Sequence, residues 1–571
     1  MIIPLNDLNM INMKRLLLIV LAVSALAACA EKIDDPVDVS VENGEIEESY
    51  IAINLMSSDP GTRADDGVYQ DGLASERAVR SAYFFFYQND TPFSVNVSDG
   101  AVTGPGTTGA NWLEATLPDT GTGEDPNVSD IKGVVLLLKN YKGQYPNQII
   151  AVLNWTPTVG KAYTLDELKA ETAIATTYDA TKYFVMSNSV YADAANKEII
   201  ATPLTLSNIF TDKDAAEDSP IKIHVERIAA KVTVTTSADT PFDLDNPAGA
   251  SDIPVYAKIE GWELYNDYQT SYLLKDIDPA WTAASIGFNW NDVNYYRSYW
   301  AISPTLTDFP DNTFTWNGGF AAGLDTDVTA GTYADNTYTY CGENTFRNEA
   351  DRTKVILKAR LVDAGGNPVE LAKWYGAEYL GEADLRTAVA NTLKNTLFYK
   401  ASETQYIGIS PEDIECVTGG GAGAPAGVTA TEVYFQLSTT GESRAWYTYD
   451  STHGYVSLGD ESINATKTNE HLASVPSAII YKAGQTYYHF DIKHLGAEGK
   501  TAEYGIVRNH IYSINVNSIK GYGSPVYDPN IQIVEPEDPD DPTETESFVA
   551  AEVRILSWRL VSQGVDIVPQ S

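Results

Sequence analysis

Apolar and polar residues alternate with period two along much of this chain, in short runs bounded by Gly, Pro, Asn, Asp and Ser. That period places every second side chain on one face of an extended strand. Residues 50–56 show it first, with Ile51, Ile53 and Leu55 on one face. Further strands are predicted at 78–88, which carries the aromatic run 83–87, and at 133–139, 148–154, 183–187 and 221–235. After a polar stretch at 239–252 the pattern resumes at 255–265, 355–362, 432–437, 478–481, 485–493 and 505–519. Helical signals are few. Thr164 and Glu167 have capping-box spacing and predict a short helix through Ala173, and Leu385, Val389 and Leu393 predict another over 382–395. The expected fold is mainly β, two β-sandwiches in tandem with a few short helices, divided at the 239–252 stretch.

The last alternating stretch, 547–568, reads SFVAAEVRILSWRLVSQGVDIV and is long enough for one extended strand or two shorter ones. Val549, Ala551, Val553 and Ile555 share one face, and Phe548, Leu556, Trp558 and Leu560 share the other with Glu552 and Arg554. The preceding residues, 535–546, read EPEDPDDPTETE, with three prolines, seven acidic residues and no basic one. Like charges repel and proline lacks a ladder donor, so this segment cannot fold alone. A strand on such a tether needs a sheet to join, in its own subunit or in another.

Charge narrows the function classes. Lys and Arg number 38 against 78 for Asp and Glu, a formal charge of −40. Nucleic-acid binding needs clustered cations, so no nucleic-acid partner is expected; the balance suits a soluble or surface protein. The cysteines are Cys29, Cys341 and Cys416, with no CxxC and no Cys/His cluster, which argues against structural zinc. Cys341 and Cys416 are compatible with a disulfide outside the cytoplasm and equally with two buried thiols. No GxSxG element occurs, and the glycine-rich loop at 418–427 lacks a phosphate-loop lysine. His489 and His494, five apart, would not share a face as metal ligands do, and the acidic loop 243–246 lacks the EF-hand pattern. Acidic residues are too numerous for sequence to single out a glycosidase pair. No enzymatic site, metal or cofactor is expected.

Met13, Lys14 and Arg15 open a basic segment followed by an apolar run to Ala28, too short to span a bilayer. The run ends Leu26-Ala27-Ala28-Cys29, which resembles a bacterial lipobox. That resemblance implies a signal peptide over 1–28, cleavage before Cys29 and lipid on its thiol; the alternative is an ordinary secretory peptide. Residues 30–48, acidic and proline-containing, read as a tether.

Several stretches resemble one family. Residues 504–514, YGIVRNHIYSI, followed by IKGYGSP at 519–525, are similar to the C-terminal signature of Bacteroidales fimbrillins, the subunits of type V pili. Residues 227–232, RIAAKV, resemble the element that ends their N-terminal domain, and VRILSWR at 553–559 falls in family order. The Mfa-type minor-fimbrium shaft subunit is the best fit. The resemblance is specific mainly in 219–235 and 500–568 and vague between about 240 and 420.

This resemblance implies transthyretin-like sandwiches over 64–238 and 239–534, with 535–571 as acidic linker and donor strand. It implies a precursor held at the outer membrane through lipid on Cys29 and cut by an arginine-specific protease. The matching bond is Arg63–Ala64, with Arg77 and Arg80 as other possible sites. The cut removes the propeptide 29–63 with the strand bearing Ile51, Ile53 and Leu55. The vacated groove receives the C-terminal strand of a neighbouring copy, through Val553, Ile555, Leu556, Trp558 and Leu560, and repetition head to tail gives a filament. The face with Leu556, Trp558 and Leu560, having the larger side chains, is the expected plug. Anchor and tip or accessory subunits complete the partners, and the expected location is a cell-surface fimbria serving adhesion and colonisation. The rivals are a lipid-anchored glycan-binding sandwich using Trp281, Trp290 and Trp300, an anchor or tip subunit, and a surface glycosidase.

Overall fold

The computed structural model describes residues 47–56, 73, 76, 78–95, 102–105, 109–115, 131–140, 145–175, 183–189, 191–192, 198–236, 241–244, 254–277, 301–304, 314–318, 320, 337–345, 351–494, 504–531, 533, 548–556 and 561–563. Cys29, Arg63, Ala64, Arg77, Trp281, Trp290, Trp300, the stretch 535–546, Trp558 and Leu560 lie outside them.

The described chain is mainly β, as the alternation implies, with a few short helices. The first sheet contains, in spatial order, β2 (Ala82–Gln88), β4 (Gln148–Leu153), β5 (Met186–Asn188), β6 (Ile221–Arg227), β1 (Glu47–Met56) and β3 (Ile131–Asn140), and short strands extend it beyond β2. β2 carries the aromatic run and is buried on both faces from Ala82 to Tyr87. A strand covered on both sides reads as a continuous apolar run, and here the run continues into Ile149–Leu153 of the neighbouring β4. Thr164 caps the helix Leu165–Ala170 with both halves of the capping box formed. This helix is shorter than expected, because Glu171 is already extended and Thr172–Ile174 is a strand.

The largest departure from the expected elements lies at 221–235. The single predicted strand is two strands, β6 and β7 (Ala230–Thr236), in different sheets. The chain breaks at Ile228 and Ala229, both fully buried, because their backbone groups find partners off the strand. Ile228 N–H donates to Val185 O at 3.1 Å, and Ala229 O accepts from Asn509 N–H at 2.7 Å. Alternation cannot register such a break, since both sides of it are apolar.

β7 lies between β9 (Tyr338–Cys341) and β12 (Ile511–Lys520) in a five-stranded sheet that continues to β13 (Phe548–Leu556) and β14 (Val561–Gln563). A second five-stranded sheet contains β8 (Tyr256–Tyr265), β10 (Lys354–Val362) and β11 (Gln485–Asp491). Val232, Val234, Ile514 and Val516 from one sheet and Trp262, Leu264, Val355, Leu357 and Phe490 from the other share one core. A further core gathers around the helix Gly381–Leu393, through Leu385 and Val389, and the helix Asn464–Leu472. The predicted strand over 505–519 begins only at Ile511, because 505–510 form a turn with Asn509 at φ 58°.

Candidate functional site

β1, the strand bearing Ile51, Ile53 and Leu55, is an interior strand. It pairs parallel with β6, from Ile53 opposite Ile221 to Met56 opposite His224. It pairs antiparallel with β3, from Glu47 opposite Asn140 to Ile53 opposite Val134, and after an irregularity Leu55 faces Ile131. Ile51 is fully buried in the first core. Without β1, the facing edges of β6 and β3 would each present a row of unpaired N–H and C=O groups.

The C-terminal stretch forms two strands, and both lie on their own chain. β13 pairs antiparallel with β12, from Lys520 opposite Phe548 to Ile511 opposite Leu556. Val553 faces Ile514, Ile555 faces Tyr512, and Leu556 faces Ile511. β14 covers part of the outer edge, with Val561 opposite Ile555.

Between these two strand sites, the two stretches quoted above for their resemblance meet. Asn509 donates its backbone N–H to Ala229 O, Lys231 N–H donates to His510 O at 2.9 Å, and Arg227 Nη1 donates to Asn509 Oδ1 at 3.1 Å. Arg508 is wholly buried and donates through Nε to Glu343 Oε2 at 2.7 Å, and through its two terminal nitrogens to Leu273 O and Tyr272 O at 3.1 and 2.8 Å. A guanidinium fork suits a carboxylate and two carbonyls at once, and with full pairing a buried charge is tolerated. Tyr512 accepts from Val507 N–H, and its hydroxyl shares a hydrogen bond with His494 Nδ1 at 2.9 Å. His494 and His510 are therefore buried, hydrogen-bonded histidines. Glu76, also wholly buried, receives Lys231 Nζ at 2.8 Å and the Tyr340 hydroxyl at 2.5 Å. Sequence reasoning missed Glu76 and Glu343. Nothing local distinguishes either carboxylate from the other acidic residues, whereas the motif cations that hold them, Lys231 and Arg508, were visible.

No cluster of three or more His, Cys, Asp or Glu with metal-binding geometry occurs among the described residues. Cys341 and Cys416 are free thiols buried in different cores, and burial pushes both well above the ordinary thiol range. What the arrangement offers chemically is backbone pairing: an interior strand, β1, and a terminal strand pair, β13 and β14.

The family comparison falls on the second of these. Residues 479–564 match the family described as major fimbrial subunit protein type IV, fimbrillin, C-terminal. The chain resembles fimbrillins. The fimbrillin match takes in β11, β12, β13 and β14, so the turn at 505–510 and the terminal strands belong to one recognised unit. No curated protein shows significant sequence similarity to the chain. Among solved structures, the chain is similar to a fimbrilin from Porphyromonas gingivalis, at 14% identity over 90% of this chain and 98% of that one, with a TM-score of 0.34. It is also similar to the tip fimbrial protein Mfa3 of Porphyromonas gingivalis, at 11% identity over 89% of this chain and 100% of that one, with a TM-score of 0.27. The fimbrillin match, confined to residues 479–564, supports a fimbrial subunit.

Proposed function

We propose that the chain is the shaft subunit of a cell-surface fimbria that polymerises by strand exchange and supports adhesion and colonisation. The precursor is exported as a lipoprotein, held at the outer membrane through lipid on Cys29, and cut between Arg63 and Ala64 by an arginine-specific protease. The mature subunit joins copies of itself head to tail, with anchor and tip or accessory subunits as further partners.

The observation that carries this reading is the position of β1. It is paired on both edges, and its covalent link to β2 runs through 57–81, whose first basic residue is Arg63. A cut there leaves β1 held only by noncovalent contacts, its ladder and the packing of Ile51. Its departure exposes two strand edges and the space filled by the buried Ile51. An incoming strand replaces the ladder bonds and plugs the groove with one of its faces, the one bearing Leu556, Trp558 and Leu560, while Val553 and Ile555 lie on the other. The incoming strand must first leave β12 of its own chain, so ladder bonds are exchanged rather than gained. The drive then comes from the refilled groove, at about 1.5–3 kcal/mol for each large apolar side chain buried, and a filled groove reopens slowly.

Sheared surface material, run unboiled on a denaturing gel with the subunit N-terminus sequenced, tests the reading. A high-mass ladder whose subunit begins at Ala64 is the expected result. A monomer that still carries lipidated Cys29 overturns it.

A further inference from the structure

Beside the slot, a second feature bears on which arginine the maturation cleavage uses; this rests on the processing reading above. Three arginines separate β1 from β2: Arg63, Arg77 and Arg80. The chain is tied down on both sides of the second and third. On the near side, Leu73 and Glu76 close a turn, with Glu76 N–H donating to Leu73 O at 2.9 Å and Leu73 N–H to Glu76 Oε2 at 2.8 Å. Glu76 O accepts from Arg227 Nε at 2.6 Å. The buried Glu76 carboxylate holds Lys231, itself wholly buried and 4.0 Å from the Tyr338 ring centroid.

On the far side, Asn154 grips the backbone. Its Nδ2 donates to Ala78 O at 3.0 Å and to Phe184 O at 2.8 Å, and its Oδ1 accepts from Arg80 N–H at 2.8 Å. Its own N–H donates to Ser81 O at 2.9 Å. Val79 packs on the first core, and the Arg80 guanidinium rests 4.3 Å from the Tyr183 ring centroid.

A protease needs several residues on each side of the bond free to lie extended in its cleft, so a folded segment is cut only from a locally opened state, at a rate that follows that state's population. Opening 73–81 would break the wholly buried ion pair between Lys231 and Glu76 and leave the Glu76 carboxylate to find new partners, which is strongly unfavourable. We propose that Glu76 and Asn154 form a two-point clasp that shields the Arg77–Ala78 and Arg80–Ser81 bonds, confines maturation to Arg63 and retains residues 73 onward in the mature subunit. A cut after Arg77 would also sever Glu76 from the body it anchors.

The test is timed digestion of the purified full chain with an arginine-specific endoprotease, reading fragment masses and new N-termini. Glu76→Gln removes the carboxylate charge paired with Lys231. Asn154→Gly removes the grip while preserving the left-handed backbone at φ 60°, so it remains informative if the first variant folds poorly. Wild type is expected to be cut after Arg63 and spared after Arg77 and Arg80. Each variant is expected to be cut at one of the latter at least about ten-fold faster than wild type. Wild-type cleavage after Arg77 or Arg80 as fast as after Arg63, or unchanged protection in both variants, overturns the clasp. Opening of those bonds in the variants without any cut after Arg63 leaves the clasp standing and overturns the Arg63 processing reading.

Discussion

His489 illustrates how much a single side chain depends on its sheet. It sits in β11 opposite Ile356, where desolvation and the nearby Lys354 ammonium pull its pKa from 6.5 to about 4, with Asp491 opposing. The folded chain therefore refuses a proton that the unfolded chain accepts. Stability is lost as pH falls from about 6.5 through about 4, levelling off below that, by on the order of 3 kcal/mol. His489→Gln should lack this loss. The stability gap between wild type and variant, followed by denaturant unfolding at pH 7 and pH 4, is expected to shrink by that amount, since the titrating carboxylates are common to both. A gap that does not change with pH would show that His489 is not held neutral. Sequence placed His489 in a strand and away from a metal site, yet gave no sign of the burial, because its neighbours in space come from β10.

Elements were legible where their environment is simple. The aromatic run 83–87 and the alternation of 255–265 and 355–362 announced β2, β8 and β10, since each meets one kind of surroundings along its length. The 221–235 stretch misled because β6 and β7 are both buried and the passage between them is made by hydrogen bonds to Val185 and Asn509. Arg508 holds the other side of that passage, fixing the 505–510 turn to Glu343 and to the 272–273 backbone. Arg508→Ala should leave the Glu343 carboxylate buried without its cation and cost about 3–5 kcal/mol. Lysine in its place should recover little, because one ammonium cannot reproduce the three-way fork. A lowered denaturant midpoint with an unchanged slope is the expected signature. Replacing Arg508 and Glu343 together by methionine and leucine should restore much of the loss; if it does not, the cost lies in packing and the pair is not its cause.

At the scale of the whole molecule, the proposed subunit has two separable faculties, a slot it can offer once β1 is released and a tail it can donate. Sequence showed both strands, through the alternation of 50–56 and 547–568, but the slot's two walls, β3 and β6, are far apart in the chain and became visible only in the sheet. A contact between unlike surfaces repeated head to tail does not close on itself, and crippling one surface per molecule should therefore cap it. An Arg63→Ala precursor keeps its own β1 and can donate but not accept. A cleaved subunit lacking 547–571 can accept but not donate. Each alone should remain monomeric, and an equimolar mixture should stop at a heterodimer, measured by size-exclusion chromatography with light scattering. Added sparingly to assembling wild type, either should shorten the filaments. Homodimers of either variant, or long filaments from the mixture, would mean that the tail and the slot are not the joining surfaces.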